Sequence, residues 1–438
     1  MSQIYFQLFK FWFMKFLPGL VLFLLQLAMV ANAQRNCGTA DYIQQLIKAD
    51  PAASNSINRA AAQIQAVTSR GATQRDLAAD ETIYLPVVIH VLYNTTDQNI
   101  SLAQIQSQLT VLNNDYSNLN ADKVNTPAVF SAVAADTKIR FCLAEVDPQG
   151  KRTAGIIRKY TSTQAFSPED AMKYAAQGGD DAWDCKRYLN IWVCNMGGRT
   201  LGYSSVPGGP TATDGVVIAY DVFGTAGNVR APYDKGRTAT HETGHWLGLK
   251  HIWGDAVCGS DEVDDTPTQQ YYNYGCPSFP HVSNCSPDAN GDMFMNFMDF
   301  GNDACMSLFT NGQKTRMRAL FEKNNIRSSF LLSFACDSTL AQGAPVATAD
   351  TIAAAKPVIG VNIYPNPMQS NVTIEYATTL KSATLKTINI YNISGSKVYT
   401  TNFNSTKTTI SVASLAKGVY IFSVEEGANR FTKKLIKQ

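Results

Sequence analysis

"HETGHWLGLKH", residues 241–251, holds three of the chain's five histidines and one glutamate. Trp246 and Leu247 supply an apolar side, so the stretch reads as the start of a helix, and His241 and His245, four apart, project from one face. A catalytic zinc site takes three protein ligands in a roughly tetrahedral array and keeps one position for water. His251 is the third ligand if the helix stops first, and Gly248 is where it stops, because glycine adopts the left-handed conformation that ends helices. Glu242, adjacent to the first ligand, cannot share the metal with both neighbours but reaches a water held there. It is placed as a general base acting on water whose pKa zinc lowers to about 7. A bare His-Glu-x-x-His arises by chance on surface helices; the glycine and third histidine at fixed offsets distinguish this one.

About fifty residues downstream lies "NFMDF" (296–300). The extended motif followed by a methionine-containing turn is similar to the metzincin zinc endopeptidases. "HETGHWLGLKHIWGD" and "NFMDFGNDACMSLFTNGQKTRM" resemble the pappalysin family, in its bacterial ulilysin-like and mirolysin-like branch, over roughly residues 85–317. The resemblance implies an α+β catalytic domain, a mixed sheet plus helices, with Met298 as a hydrophobic floor beneath the metal. Relatives commonly carry tyrosine two residues after that methionine; Phe300 stands here, without a hydroxyl, and is left out of the catalytic set.

The chain is 438 residues long, 45% hydrophobic and carries a net charge of +2, enough for several domains, with no basic cluster to support nucleic-acid binding. Residues 1–33 contain Lys10 and Lys15, the apolar run "FLPGLVLFLLQLAMV" and then "ANA". This is the pattern of a removed signal peptide, and the run is short for a bilayer of about 30 Å, so a membrane anchor is the weaker reading. No other stretch is apolar enough to span.

Nine cysteines in an exported chain point to disulfides. Cys258, Cys276, Cys285 and Cys305 fall in a loop-rich region; three pairings are open, and the resemblance implies Cys258 with Cys285 and Cys276 with Cys305. Pairing of Cys142, Cys185, Cys194 and Cys336 stays open, with Cys142 and Cys194 in strand-like runs readable as buried thiols. Cys37, in "RNCGTAD", precedes the catalytic region, and its thiolate suits the open zinc position. The Cys-Gly pair resembles the cysteine switch of metzincin zymogens, which implies a latent propeptide over 34–75, cut after Arg70 or Arg75. A disulfide from Cys37 to a distant cysteine such as Cys336 is the alternative.

Within the catalytic region, 76–337, "TIYLPVVIHVLYN" and "RYLNIWVCNM" read as strands, and "SLAQIQSQLTVLNNDYSNL" as a helix capped by Ser101, with Ile105, Leu109 and Leu112 at helical spacing. "TLGYSSVP" (200–207) reads as an edge strand or rim able to pair with an extended peptide. His90 is a packed strand residue rather than a ligand. Asp261, Glu262, Asp264 and Asp265 crowd one loop, and such carboxylates repel unless hydrated or bridged; by resemblance the loop is a candidate structural calcium site, with Asp261, Asp264, Asp265 and Thr266 as candidate ligands. Asp303 is a candidate carboxylate for a pocket that, as in that branch, favours arginine or lysine on the primed side of the cut.

Residues 338–357 are small, polar and proline-containing, a linker. Residues 358–438 alternate apolar and polar residues between turns, a small all-β, immunoglobulin-like sandwich. From "VNIYPNP" to "FTKKLIKQ" they resemble the type A C-terminal sorting domain of the type IX secretion system, rather than a substrate-binding module. That resemblance implies passage across both membranes of a Gram-negative cell, to a secreted or cell-surface destination. Two functions compete: a secreted zinc endopeptidase acting on proteins or peptides, and a non-catalytic surface binding protein keeping zinc for stability. A structural zinc needs no adjacent base, so Glu242 favours the first.

Overall fold

The β-branched, apolar run expected as a strand forms β1 (Ile83–Tyr93), the axis of a six-stranded sheet. The computed structural model describes residues 37–70, 77, 81–198, 200–333, 335–337, 360–377, 386–392, 396–426 and 429–438. The expected leader (1–33), the linker (338–357) and Arg75 lie outside these residues. Leu85, Val87, Val88, Ile89 and Val91 are all fully buried, as a parallel strand covered on both faces requires. Each such side chain contributes about 1.5–3 kcal/mol of burial energy.

One edge of β1 is shared by β2 (Ile139–Leu143) and β3 (Ile156–Tyr160), paired with its first and second halves. On the other edge lie β4 (Leu189–Cys194), then β6 (Val216–Ala219), then β5 (Gly202–Ser204). All pairings are parallel except that of β5 with β6, so the sheet is mixed and β5 is its rim, as the sequence predicts for 200–207. His90 is buried in β1, its Nδ1 2.7 Å from Asp180 and its Nε2 3.1 Å from Asn190, a packed residue and not a ligand.

Two helices precede the sheet, α1 (Thr39–Ala49) and α2 (Pro51–Thr68). Between them Asp50 accepts the Ala52 amide at 2.9 Å, with proline at the first helical position where no amide partner is needed. Helix α3 (Leu102–Tyr116) is capped by Ser101, which accepts the Gln104 amide at 3.1 Å, and buries Ile105, Leu109 and Leu112 as predicted. Helix α4 (Arg237–Trp246) has all ten residues buried. Helix α5 (Asn311–Ala319) begins with a capping box between Thr310 and Gln313.

Disulfides join Cys258 to Cys285 and Cys276 to Cys305, the pairing the resemblance implies, and hold the poorly regular segment that follows α4. Each restricts the unfolded chain by about 3.6 kcal/mol for loops of this length. A third joins Cys142 to Cys336. This corrects the reading of Cys142 as a buried thiol: its place on β2 faces the segment returning from α5, which strand-like hydropathy cannot reveal. It also removes Cys336 as a partner for Cys37. Cys194 is a buried free thiol, and Cys185 is free and half-buried.

The described residues between 360 and 438 fold on their own core, with Ile363, Ile374, Ile388, Ile390, Phe422 and Val424 buried among them. β10 (Lys397–Phe403), β9 (Lys386–Asn392), β12 (Gly418–Glu426) and β13 (Asn429–Lys437) form one antiparallel sheet; β11 (Lys407–Ser411), β8 (Asn371–Ala377) and β7 (Gly360–Tyr364) form the other. This is the expected all-β sandwich.

Candidate active site and metal centre

Helix α4 carries His241, Glu242 and His245, and its orientation is set from its first turn. Arg237 donates to Asp115 at 2.8 Å and to Asp122 at 3.0 Å, while Thr240 donates to the same Asp115 oxygen as Arg237 at 2.7 Å. The Tyr116 hydroxyl donates to the Thr240 carbonyl at 3.1 Å. The last residues of α3 therefore fasten the metal helix to α3. Burial raises the Asp115 carboxyl to about 6, and Arg237 opposes that rise.

The helix ends where the sequence places its end. Gly248 has φ of 82°, in the left-handed region, and the chain turns back so that His251 faces the helix. The Nε2 atom of His245 lies 3.1 Å from those of His241 and His251. Each imidazole is held by its other nitrogen: His241 Nδ1 lies 2.7 Å from the Phe297 carbonyl, His245 Nδ1 2.9 Å from the Leu249 carbonyl, and His251 Nδ1 2.5 Å from Asp255. A carbonyl oxygen can only accept, so His241 and His245 carry their protons on Nδ1 and turn Nε2 lone pairs to the centre. Lone pairs this close repel unless a cation lies between them. Burial, and then the neighbouring His251, push His245 down to about 3, which keeps it neutral. The donor set fits zinc.

Asp255 is a ligand-orienting residue that reading for zinc ligands alone misses, although an acid four positions after the last histidine is a visible signal. Burial alone would raise its carboxyl, but the bond to His251 holds it below the ordinary range. Trp253 stacks on His251 with ring centres 4.3 Å apart.

Met298 is fully buried beneath α4. A Cβ added at Gly244 would sit 2.5 Å from its sulfur, so glycine at the fourth residue of the helical motif lets the Met298 side chain approach this closely. The turn carrying Met298 is braced by Asn296, which accepts the Met298 amide at 2.9 Å, and by Asp299, which accepts the Asn273 amide and Gln269 side chain. Phe300 packs against the ligands, 5.0 Å from His251 and 5.8 Å from His241 between ring centres.

Cys37 joins this cluster. One ligand atom each from Cys37, His241, His245 and His251 lie within 4.8 Å of one another, all four residues buried. The segment is laid along the rim strand: Cys37 bridges Gly202 in parallel, and the Gly38 amide donates to the Gly202 carbonyl at 2.9 Å. Its sulfur lies 3.4 Å from Glu242 Oε2. Thr39, which carries no signal in the sequence, donates its hydroxyl to the same oxygen at 2.8 Å and accepts the Ser204 amide at 2.9 Å. Burial, reinforced by the Glu242 charge, pushes the Cys37 thiol well up. A divalent cation opposes that rise by binding the thiolate.

The remaining predicted residues lie elsewhere. Asp261 is buried and accepts the Thr266 hydroxyl at 2.9 Å; Asp265 accepts the Thr310 hydroxyl at 2.6 Å and the Gly312 amide at 2.8 Å, fastening the loop to α5; Asp264 is exposed. Asp303 is fully buried at the start of α4, where one carboxylate oxygen accepts the amides of Lys235 and Arg237 at 2.9 and 3.1 Å.

Residues 173–322 match the family described as pregnancy-associated plasma protein-A, and residues 362–438 match the secretion system C-terminal sorting domain. An extracellular metalloprotease of Pyricularia oryzae is 30% identical over 304 residues, 67% of this chain and 91% of that protein. The structure of mature mirolysin of Tannerella forsythia in complex with a cleaved peptide is 50% identical, covering 60% of this chain and 99% of that one, with a TM-score of 0.58. That of a promirolysin mutant of the same organism is 47% identical, covering 70% of this chain and all of that one, with a TM-score of 0.64.

Proposed function

Since this chain belongs to the pappalysin family of metalloproteases, we propose that it is made as a latent zymogen in which His241, His245 and His251 hold the catalytic zinc, Glu242 is the general base, and Cys37 blocks the site. It is a zinc metalloendopeptidase, secreted or displayed at the cell surface through its sorting domain. Among the described residues, no helix is long and apolar enough to cross a membrane. The reading assigns 1–33 to a leader, 34–75 to a propeptide, 76–337 to the catalytic domain, 338–357 to a linker and 358–438 to the sorting domain.

The observation that carries it is the convergence of three Nε2 atoms, each imidazole oriented through Nδ1, beside a buried carboxylate. Zinc, when bound, supplies the positive charge that polarises a peptide carbonyl and acidifies water. Glu242 takes the proton of the attacking water and delivers it to the leaving amine. The rim strand β5 pairs with the extended peptide, and Met298 and Phe300 keep the far side of the ligands dry.

The processed protein is expected to cleave casein, with cleavage abolished by a chelator and restored by zinc. Binding of casein without chelator-sensitive cleavage would support the non-catalytic surface protein instead. Sequencing the new N-termini from a peptide library tests the finer preference for arginine or lysine on the primed side. Asp303 supplies the negative charge in this reading, and Asp303→Asn keeps an acceptor for the amides of Lys235 and Arg237 while removing the charge. About tenfold loss of the Arg/Lys preference is expected, and an unchanged preference removes Asp303 from the pocket.

A structural calcium at Asp261, Asp264, Asp265 and Thr266 is the second part of the proposal. Burial pushes the Asp261 carboxyl up to about 7, and a hard cation is what holds such a group ionised. The unfolded value is about 3.9, so between these values the folded chain binds the extra proton, and cation-free stability falls as pH rises through that window. Calcium is therefore expected to raise Tm more at pH 8 than at pH 5. Equal shifts at both, or none, remove the site.

A further inference from the structure

Tyr42, on α1, is one of the prosegment side chains buried against the catalytic region outside the metal centre. Its ring lies 5.0 Å from that of Tyr203, and its hydroxyl donates to Asp170 Oδ2 at 2.8 Å, with Thr213 Oγ1 at 3.4 Å. The other carboxylate oxygen, Asp170 Oδ1, accepts the Tyr203 hydroxyl at 2.8 Å and pairs with the Lys173 ammonium at 2.8 Å. Lys173 is fully buried; it also donates to the Thr213 carbonyl at 2.8 Å and lies 5.1 Å from the Tyr42 ring centre and 4.7 Å from that of Tyr203. Every member of this recess except Tyr42 belongs to the catalytic region.

We propose that the recess formed by Asp170, Lys173, Tyr203 and Thr213 is a substrate subsite for a tyrosine side chain in the processed enzyme, occupied by Tyr42 until the prosegment leaves. This rests on the prosegment reading above. Tyr203 belongs to β5, between Gly202, whose carbonyl accepts Gly38, and Ser204, whose amide donates to Thr39, so a peptide paired along that rim passes the recess. The chemistry selects a phenol. An aromatic ring is held by the Tyr203 ring on one side and the ammonium on another. A hydroxyl at its tip supplies the donor that Asp170 Oδ2 loses with Tyr42; phenylalanine leaves that oxygen without it. A cationic side chain meets Lys173 and an anionic one meets Asp170.

The test uses processed enzyme and peptides that differ only by tyrosine or phenylalanine at each position around one cleaved bond. At one position tyrosine is expected to give a kcat/KM about tenfold above phenylalanine, and Asp170→Asn is expected to bring that ratio to about threefold or below. Tyr42→Phe in the full chain, which leaves the catalytic region's sequence intact, is expected to hasten prosegment release by a similar factor. Equal rates for the two peptides at every position, a ratio that survives Asp170→Asn, or release unchanged in Tyr42→Phe overturns the subsite. A protein that cleaves none of the peptides overturns instead the peptidase reading beneath it.

Discussion

Glu242→Gln is expected to lower kcat/KM for peptide cleavage by about 10²–10⁴-fold while leaving zinc stoichiometry and Tm nearly unchanged. The carboxylate is buried on α4 one residue from a ligand, and its Oε2 is engaged by Cys37 and Thr39. The second nitrogens of the three imidazoles are fixed by Phe297, Leu249 and Asp255. Glutamine keeps the volume and an acceptor for Thr39 but cannot take a proton from water near neutral pH. Activity and metal content are to be measured on the same processed sample. A variant that retains a third of wild-type activity at full zinc occupancy would show that another group removes the proton; one that loses zinc would make Glu242 a structural member of the centre.

The local motif was legible because metal chemistry constrains sequence spacing tightly. Two histidines one helical turn apart, a glycine with positive φ and a third histidine leave little freedom, and the elements of the sheet follow from β-branched runs such as 83–93. What sequence could not show depends on distant parts of the chain meeting. Asp115 and Arg237 are far apart in sequence, and their pairing orients α4. Cys142 meets Cys336 only because the chain after α5 returns beside β2. Thr39 is an ordinary polar residue until the rim strand places its hydroxyl on Glu242. The close approach of Gly244 and Met298 is likewise invisible until the fold places the sulfur beneath α4. The acidic loop reads as a repelling cluster in one dimension, whereas Asp265 is satisfied by the amide and hydroxyl groups that open α5.

Cys37→Ala in the full chain is expected to raise basal cleavage of a short peptide by about a hundredfold over the latent wild type, before any processing. A four-ligand zinc site binds with about 10–16 kcal/mol; one ligand's share is about 3 kcal/mol, or roughly 10² in the population of the open centre. Release stays incomplete in this variant, because Gly38 remains paired with Gly202, Tyr42 remains on Asp170, and Thr39 still donates to Glu242. Thr39→Val added to Cys37→Ala therefore frees the base as well as the metal and is expected to raise the rate further. Thr39→Val alone has a much smaller effect, since the sulfur still occupies the position that water needs. Each rate is compared with that of the processed enzyme, with Glu242→Gln in the same background to remove contaminating activity. Latency undiminished in Cys37→Ala would mean that the two helices and the rim pairing close the cleft by themselves, with the sulfur a bystander beside the three imidazoles.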